Sequence, residues 1–259
     1  MYEAMMIAAT GLQNQQRRLD TIAHNVSNVN TVGFKNSRLD FKDALYTAGI
    51  VPALPRTRAP EGNQQKGHGV MVAGITKDFL PGSVQTTERP LDVTIQGEGF
   101  FALEAVNGET VYTRNGSFEL SVEDGGVYLV NGSGLYVLNA GGGRIRVPDN
   151  TETITFSQQG EIVFTAGDEE TAVMLGVYTF RNLMGLQSIG DSNYAETVSS
   201  GERRTAGDAT IRQGTLEMSN VRLADEMTRM IRTQRVFQLS SRALTTADEM
   251  EGIANNMRR

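Results

Sequence analysis

Residues 5–33 read MMIAATGLQNQQRRLDTIAHNVSNVNTVG, and this stretch decides the fold of the chain. Two columns of mostly apolar residues recur in it every seven positions: Met5, Leu12, Leu19 and Val26, and then Ala8, Gln15, Ile22 and Val29. Such a repeat predicts an α-helix with a narrow apolar stripe that needs a partner helix. The pattern ends at Gly33, a residue type that suits the left-handed turn closing many helices. The predicted N-terminal helical segment is therefore residues 1–34.

The C-terminal residues, 212–259, predict a second helix of the same kind. Its apolar residues form a stripe that drifts around the helix: Leu223, Met227, Met230, Ile231, Phe237, Leu244, Ala247, Met250, Ala254 and Met257. Ser219 or Asn220 is expected to cap the first turn. Asp225 and Glu226 follow with the negative charge that a helix N-terminus favours. Isolated helices gain little stability in water, so we expect the two terminal helices to pair in a coiled-coil-like manner.

The middle of the chain, residues 80–211, follows a different pattern. Short apolar stretches lie at 91–103, 126–130, 135–138, 153–156, 161–165 and 173–180, and a further one precedes them at 70–76. They are separated by glycine-rich turns: Asn107-Gly108, Asn115-Gly116, Asn131-Gly132 and Gly141-Gly142-Gly143. This spacing predicts an antiparallel β domain, and the lack of a long helical period argues against βαβ units. The expected fold class is thus α+β, with paired terminal helices flanking a β-rich centre.

Residues 35–79 connect the first helix to that centre. The segment from Phe34 to Tyr46 is compatible with either a short helix or an extended strand. Residues 49–69 contain Pro52, Pro55 and Pro60 together with glycines, which predicts an extended linker or an exposed hairpin.

Composition excludes several classes of protein. The 259 residues include no Cys and no Trp, which removes disulfides, thiolate metal sites and cysteine nucleophiles. Residues 1–79 carry 9 basic and 6 acidic groups, residues 80–211 carry 7 and 18, and residues 212–259 carry 8 and 6. The acidic centre argues against nucleic acid as a partner. No apolar run is long enough for a transmembrane helix, and the N-terminus lacks the basic start of a cleaved secretory signal.

Candidate catalytic groups are sparse. His24 lies within the predicted helix and His68 lies between two glycines, so neither flank resembles a prepared triad or metal site. Gly97-Glu98-Gly99 follows a predicted strand, but no helix follows it, which argues against a dinucleotide site. The acidic residues Glu98, Glu104 and Glu119 leave open a glycosidase-like alternative. We expect no catalytic residue, no metal and no cofactor.

Several segments together resemble the flagellar rod and hook protein family. They are LDTIAHNVSNVNTVGFK at 19–35, RPLDVTIQGEGFF at 89–101, YTRNGSF at 112–118, GLQSIG at 185–190 and QGTLEMSNV at 213–221. TQR at 233–235, SRA at 241–243 and TADEM at 246–250 continue the resemblance. His24 and Ser27 depart from the usual Asn and Ala of the first motif. The absence of a large insert favours a rod subunit over a hook subunit, and the motifs favour the distal over the proximal rod.

The resemblance implies a structural function and a set of partners. It implies export through the flagellar secretion apparatus without signal cleavage, to the basal body outside the cytoplasmic membrane. It also implies polymerisation with copies of itself and with neighbouring rod and hook subunits into a helical drive shaft that transmits torque, possible contact with the surrounding ring proteins, and an inner wall of paired terminal helices.

We expect the packing between subunits to use the apolar stripes and the polar corner after the first helix. These residues are Met5, Leu12, Leu19, Ile22, Asn25, Val26, Asn28, Thr31, Gly33, Phe34, Leu223, Met227, Met230, Ile231, Phe237, Leu244 and Met250. For the asparagine cluster around Asn28, a simple helix cap and a bridging function remain alternatives. A cell-wall enzyme and a coiled-coil binding module are the other classes of function left open.

Overall fold

The computed structural model describes residues 2–44, 46–48, 65–67, 69–123, 125–167, 169–207 and 209–257. Two long helices stand at the ends of the chain, α1 at Tyr2–Ser27 and α2 at Leu223–Asn256. The first strands, β1 to β7, are Ser37–Asp43, Tyr46–Ala48, Gln65–Gly67, Val70–Lys77, Val84–Thr86, Val93–Gln96 and Phe100–Glu104. Strands β8 to β14 are Thr110–Thr113, Phe118–Glu123, Gly126–Asn131, Tyr136–Val137, Arg146–Val147, Thr153–Phe156 and Glu161–Ala166. Strands β15 to β21 are Glu169–Met174, Val177–Thr179, Gln187–Gly190, Asn193–Ala195, Arg204–Thr205, Thr210–Gln213 and Thr215–Glu217. The predicted α+β class is confirmed.

The chain divides into two compact units. The helix-bearing unit consists of residues 1–26, 37–76 and 223–259. In it β1 pairs with β4 and β2 pairs antiparallel with β3. The side chain of Asn14 on α1 donates a hydrogen bond to the backbone carbonyl of Val70, and the guanidinium of Arg18 lies over the Phe41 ring. These contacts attach α1 to the strands that follow it.

The β-rich unit consists of residues 27–36 and 77–222. Its largest sheet has ten strands, with the central order β12-β10-β11-β7-β8-β18-β17 and with β9, β16 and β19 at its sides. A three-stranded sheet, β13-β14-β15, and the pairs β6–β20 and β5–β21 complete it. Every pairing in this unit is antiparallel among the described strands.

Two apolar clusters form the core of the β-rich unit. The larger one packs Val93, Phe101, Leu103 and Phe118 with buried residues of the neighbouring sheets, and the rings of Phe101 and Phe118 meet edge to face at 5.1 Å. The smaller cluster is aromatic, with Phe100, Tyr112, Phe180 and Tyr194 buried together. Buried aromatic side chains from the antiparallel sheet therefore supply a large part of this core.

The predicted strand positions are confirmed, whereas two helix boundaries were wrong. Stretches predicted as strands at 70–76, 91–103, 126–130, 135–138, 153–156, 161–165 and 173–180 all contain strands. The first helix ends at Ser27 rather than continuing to Gly33, because residues 28–33 form turns in which the backbone N–H of Thr31 donates to Asn28. Residues 212–222 do not belong to the C-terminal helix, since they contain the end of β20 and all of β21. The open alternative for residues 34–46 is resolved by strand β1.

The expected capping residues of α2 serve a different purpose. Asn220 donates to the backbone carbonyls of Asp78 and Leu80 at 2.8 and 3.0 Å and accepts from the Asn36 backbone at 2.7 Å. Its side chain therefore bridges three segments of the β-rich unit, and α2 begins three residues later, at Leu223. Most of the linker or hairpin predicted at residues 49–69, including His68, lies outside the described residues.

Candidate assembly surface

The residues predicted to pack between subunits fall into three groups by exposure. Gly33, Phe34, Ile22 and Asn25 are buried within the single chain. Half-buried residues are Met5, Leu12, Leu19, Val26, Asn28, Met230, Phe237 and Leu244. Exposed residues are Thr31, Leu223, Met227, Ile231 and Met250. The seven-residue columns of α1 are thus half-buried or buried, whereas four of the apolar packing residues predicted on α2 are exposed.

Helix α2 has a covered side that follows the predicted period. Met230, Phe237 and Leu244 are half-buried at spacings of seven, and Glu226 and Thr233 on the adjoining column are buried. Because residues seven apart lie almost above one another on a helix, these side chains line one face. This face is the less exposed side of α2.

The opposite side of α2 and the residue that follows it expose large apolar side chains, of which sequence reasoning missed Leu239 and Ile253. Leu239, Ile253 and Met257 are 64%, 59% and 79% exposed. At about 100° per residue they lie about 160–200° around the helix from Phe237. Met250, which was predicted, shares this side, and we call these four residues the outer face of α2. Because apolar residues occur both on this side and on the side of Phe237, the apolar period of α2 is weak and did not distinguish the two faces.

Asn25 is the polar anchor of the helix-bearing unit. Its amide nitrogen donates to the backbone carbonyl of Ser37 at 2.8 Å, and its carbonyl oxygen accepts from the backbone N–H of Ser37 at 3.0 Å. The same amide lies 3.4 Å from the carboxylate of Glu226 on α2. A buried amide that satisfies both backbone groups of one residue acts as a strand partner, so it fixes the start of β1 against the end of α1. The bridging interpretation of the asparagine cluster therefore applies to Asn25.

Glu226 is buried on α2 and has a cation beside it. Its carboxylate accepts a hydrogen bond of 2.7 Å from Arg229, one turn further along the helix. The other predicted corner residues serve local turns: Thr31 donates from its hydroxyl to Asn28 at 3.1 Å. Gly33 has the expected positive φ, +67°, but it lies six residues beyond the end of α1.

A buried cluster of three charges is the polar anchor of the β-rich unit, and no sequence pattern marks its residues. The Lys35 ammonium donates to Glu217 at 2.7 Å and to the Leu80 carbonyl at 2.9 Å. Arg114 donates to the second oxygen of Glu217 at 3.3 Å and to the Gly97 carbonyl at 2.7 Å. All three charged side chains are at most 4% exposed. The cluster ties the segment after α1 to the segment before α2.

Burial sets the protonation properties of this cluster. Desolvation lowers the pKa of Lys35 below its ordinary 10.5, against the attraction of Glu217, which raises it. Desolvation also lowers the pKa of Arg114, and Glu217 again opposes the effect. Nearby, burial raises the pKa of the Tyr194 hydroxyl. The cluster holds two cations and one anion, so Glu217 is the group on which its balance depends.

The candidate catalytic residues do not form a site. Glu104 is held by two hydrogen bonds from Arg144, at 2.7 and 2.9 Å, which lower the pKa of its carboxyl and make it a poor general acid. His24 is exposed on α1, and Gly99 is followed by strand β7 rather than by a helix. No group of three acidic or imidazole side chains suited to a metal occurs in the described ranges. Neither described helix is sufficiently long and apolar to cross a membrane.

The chain has long helices at its two ends and, between them in sequence, an antiparallel β-rich centre, which is an α+β architecture. Comparison with known families identifies the class of protein. Residues 5–35 match the flagella basal body rod protein family, residues 94–164 match the flagellar hook protein FlgE/F/G D1 domain, and residues 212–257 match the flagellar basal body rod FlgEFG protein C-terminal family.

Full-length relatives agree with these matches. The chain is 39% identical to the flagellar basal-body rod protein FlgG of Borreliella burgdorferi and 37% identical to that of Bacillus subtilis, with 100% of each chain covered. It is 33% identical to FlgG of Agrobacterium fabrum, over 97% of this chain and 98% of the relative. The chain belongs to the FlgG family of flagellar basal-body rod proteins. It is a structural subunit of the rod and not an enzyme, and the FlgG names of its relatives favour the distal rod.

Proposed function

We propose that copies of this chain polymerise through their terminal helices into the helical rod that transmits torque. In this proposal α1 and α2, within the predicted segments 1–34 and 212–259, pair in a coiled-coil-like manner and form the inner wall. The β domain at 80–211 lies in the outer layers of that rod.

The outer face of α2 is the observation that carries the proposal. Leu239, Met250, Ile253 and Met257 present large apolar side chains to water along the same side of one helix. Each such side chain gains about 1.5–3 kcal/mol when a neighbour covers it. A row of exposed large apolar side chains on one side of a helix is typical of a surface that meets another protein.

The remaining predicted packing residues fit the same arrangement. Leu223, Met227 and Ile231 are exposed at spacings of four, which places them along one flank of α2. A contact that joins two different surfaces of identical chains gives a closed ring only when its rotation returns to the first subunit. With any other rotation, repetition of the contact generates an open helix. The half-buried stripe holds the helices within each subunit, while the outer face and this flank join subunits.

The neighbours of the subunit follow from the family. We propose that it contacts copies of itself and adjoining rod and hook subunits, in the distal part of the rod. We also propose export through the flagellar apparatus without cleavage of a signal, and contact with the rings that surround the rod.

Leu239→Asp tests the proposal, with Val198→Asp as its matched control. Leu239 is exposed, so the substitution is expected to change the free energy of unfolding of the single chain by less than about 0.5 kcal/mol. It places a charge in the proposed interface, whereas Val198, an exposed apolar residue of the β-rich unit, belongs to neither the outer face nor the flank. Cells with Leu239→Asp are expected to have truncated rods and no hooks, and those with Val198→Asp to have normal ones.

Phe237→Asp distinguishes the two faces of the helix. Phe237 is half-buried within its own unit, so this change is expected to destabilise α2 in the purified monomer, which circular dichroism measures. Rods of normal length in cells carrying Leu239→Asp would refute the assignment of the outer face.

A further inference from the structure

A cavity of about 170 Å³ opens between α1, β1 and α2 in the helix-bearing unit. Three arginines line it, Arg18, Arg38 and Arg229, together with a single acidic residue, Glu226. The remaining lining residues are Thr21, Ile22, Asn25, Ser37 and Leu39. A concave site with this excess of guanidinium groups suits an anion.

The three arginines differ in the partners that their guanidinium groups already have. Arg38 is paired with Asp40 at 2.9 Å, and Arg229 is paired with the buried Glu226 at 2.7 Å. Arg18 lies over the Phe41 ring at 5.8 Å and has no ion pair within the part of the chain that the structure describes. Arg18 therefore has its charge available, and Arg229 has further N–H groups on an exposed side chain.

Carboxylates are the anions that guanidinium groups bind best among protein side chains, often through two hydrogen bonds. The two units of this chain carry opposite charge. The helix-bearing unit has 13 basic and 10 acidic residues, and the β-rich unit has 11 basic and 20 acidic residues. This complementarity selects the β-rich unit of a second copy as the occupant.

The β14–β15 hairpin offers a suitable acidic edge. Glu169 and Glu170 begin β15, where they pair with Ala166 and Thr165 of β14. Both carboxylates are exposed, and neither forms an ion pair with any residue that the structure describes. Strand β15 is at the edge of its three-stranded sheet, so this end of the hairpin is accessible to another molecule.

We propose that the β14–β15 hairpin of one copy docks on the arginine-lined cavity of another, with Glu170 facing Arg18 and Arg229. The contact rests on the proposed polymerisation and adds to it. The apolar outer face of α2 supplies attraction in that assembly, and the charged contact fixes which part of a neighbour lies against the cavity.

Charge exchange tests the contact on the full-length protein. Arg18→Glu and Glu170→Arg are each expected to raise the concentration needed for self-assembly by about three- to tenfold, measured by sedimentation at low ionic strength. The double variant, Arg18→Glu with Glu170→Arg, restores opposite charges and is expected to recover most of the loss. Arg17→Glu and Glu202→Arg make the same charge changes at exposed positions outside the cavity and the hairpin, and they are the controls.

Cross-linking measures proximity directly, because the chain contains no Cys. Arg18→Cys and Glu170→Cys proteins are mixed and treated with a short bismaleimide, so that the mixed product joins two different molecules. The Arg18→Cys and Glu170→Cys mixture is expected to yield a covalent dimer, and the Arg17→Cys and Glu170→Cys mixture is expected to yield much less.

The outcomes separate this contact from the polymer itself. Rescue by the double variant together with selective cross-linking supports the contact. If wild-type protein assembles while Arg18→Glu behaves like Arg17→Glu, the contact is refuted and the polymer is not. If wild-type protein stays monomeric at every concentration, both the contact and the proposed polymerisation are refuted.

Discussion

Replacing Glu217 with Gln provides the sharpest test of the buried charge cluster. The substitution keeps the size of the side chain and removes the one negative charge that Lys35 and Arg114 share. Those two cations are 1% and 4% exposed, so water cannot compensate them. The variant therefore holds two like charges in a buried site without an anion.

The structure also sets the expected magnitude. Removing one partner of a buried ion pair costs about 3–5 kcal/mol, because the remaining charge stays desolvated. Glu217 has two such partners and also accepts from the Gly82 backbone at 2.8 Å, so we expect a loss of about 4 kcal/mol. With a urea slope of about 2 kcal/mol per molar, the unfolding midpoint falls by about 2 M.

Lys35→Met is the informative comparison. It leaves Arg114 and Glu217 as a balanced pair and removes an ammonium whose pKa is lowered by burial. The Leu80 carbonyl that Lys35 contacts still accepts from Asn220 at 3.0 Å. We therefore expect a cost of only about 1–2 kcal/mol, the value of one charged hydrogen bond.

Urea unfolding of the full-length chain measures both variants. The chain has no Trp and seven Tyr, and five of the seven are in the β-rich unit, so near-ultraviolet circular dichroism follows that unit selectively. Glu202→Gln, a change at an exposed carboxylate, is the control and is expected to leave the midpoint unchanged. Equal losses for Glu217→Gln and Lys35→Met would refute the argument that the anion governs the cluster.

Three further changes test other parts of the structure. Gly33→Ala is expected to cost at least about 2 kcal/mol, since φ is +67° and the new Cβ lies 2.6 Å from the Asn115 backbone nitrogen; thermal melting measures it. Asn25→Ala removes the hydrogen-bond partner of the buried backbone N–H and carbonyl of Ser37. It is expected to lower local stability by about 2–3 kcal/mol, which is measured as faster amide exchange at the start of β1. Hydrogen bonds from Arg144 lower the folded-state pKa of Glu104, so this ion pair contributes stability above the ordinary pKa of 4.5 and loses it as the pH falls. Glu104→Gln is therefore expected to flatten the pH dependence of the melting temperature between pH 6 and pH 3.

Each of these changes has a matched comparison. Gly11→Ala lies in α1 with open space around it, so it is expected to be neutral or slightly stabilising. Asn30→Ala removes an exposed amide and is expected to leave amide exchange unchanged. Arg144→Met removes the donor to Glu104 and is expected to flatten the pH profile as Glu104→Gln does. A comparison variant that behaves opposite to these expectations contradicts the corresponding argument.

The regular parts of the fold were accessible from sequence because they repeat. Leu12 and Leu19 belong to a seven-residue period that only a helix satisfies, and the Asn-Gly pairs mark tight turns between strands. The helix end was not accessible from that period, since the stripe continues to Val29 while the asparagines after Ser27 favour turns. Strand β21 is three residues long, too short for any period to reveal.

The polar anchors could not be predicted because they join distant positions. Lys35 and Glu217 are 182 residues apart, and nothing near either residue marks it as buried. Asn25 was among the predicted residues, yet its role depends on the backbone of Ser37, which no side-chain pattern encodes. Leu239 and Ile253 on the outer face of α2 were missed because apolar side chains on two sides of one helix give a weak period.

The buried cluster and its neighbouring hydrogen bonds have a consequence for how this chain tolerates change. Gly33 donates to the backbone of Glu217 at 2.8 Å, and Asn36 donates to Asn220 at 2.7 Å, so the entry and exit segments of the β-rich unit lie side by side. The roughly 180 intervening residues therefore form a loop that is closed at its base. Insertions or deletions at surface turns within that loop leave the entry and exit points unchanged. A fluorescent reporter or an affinity tag placed in such a turn would be carried without altering the end of α1 or the start of α2.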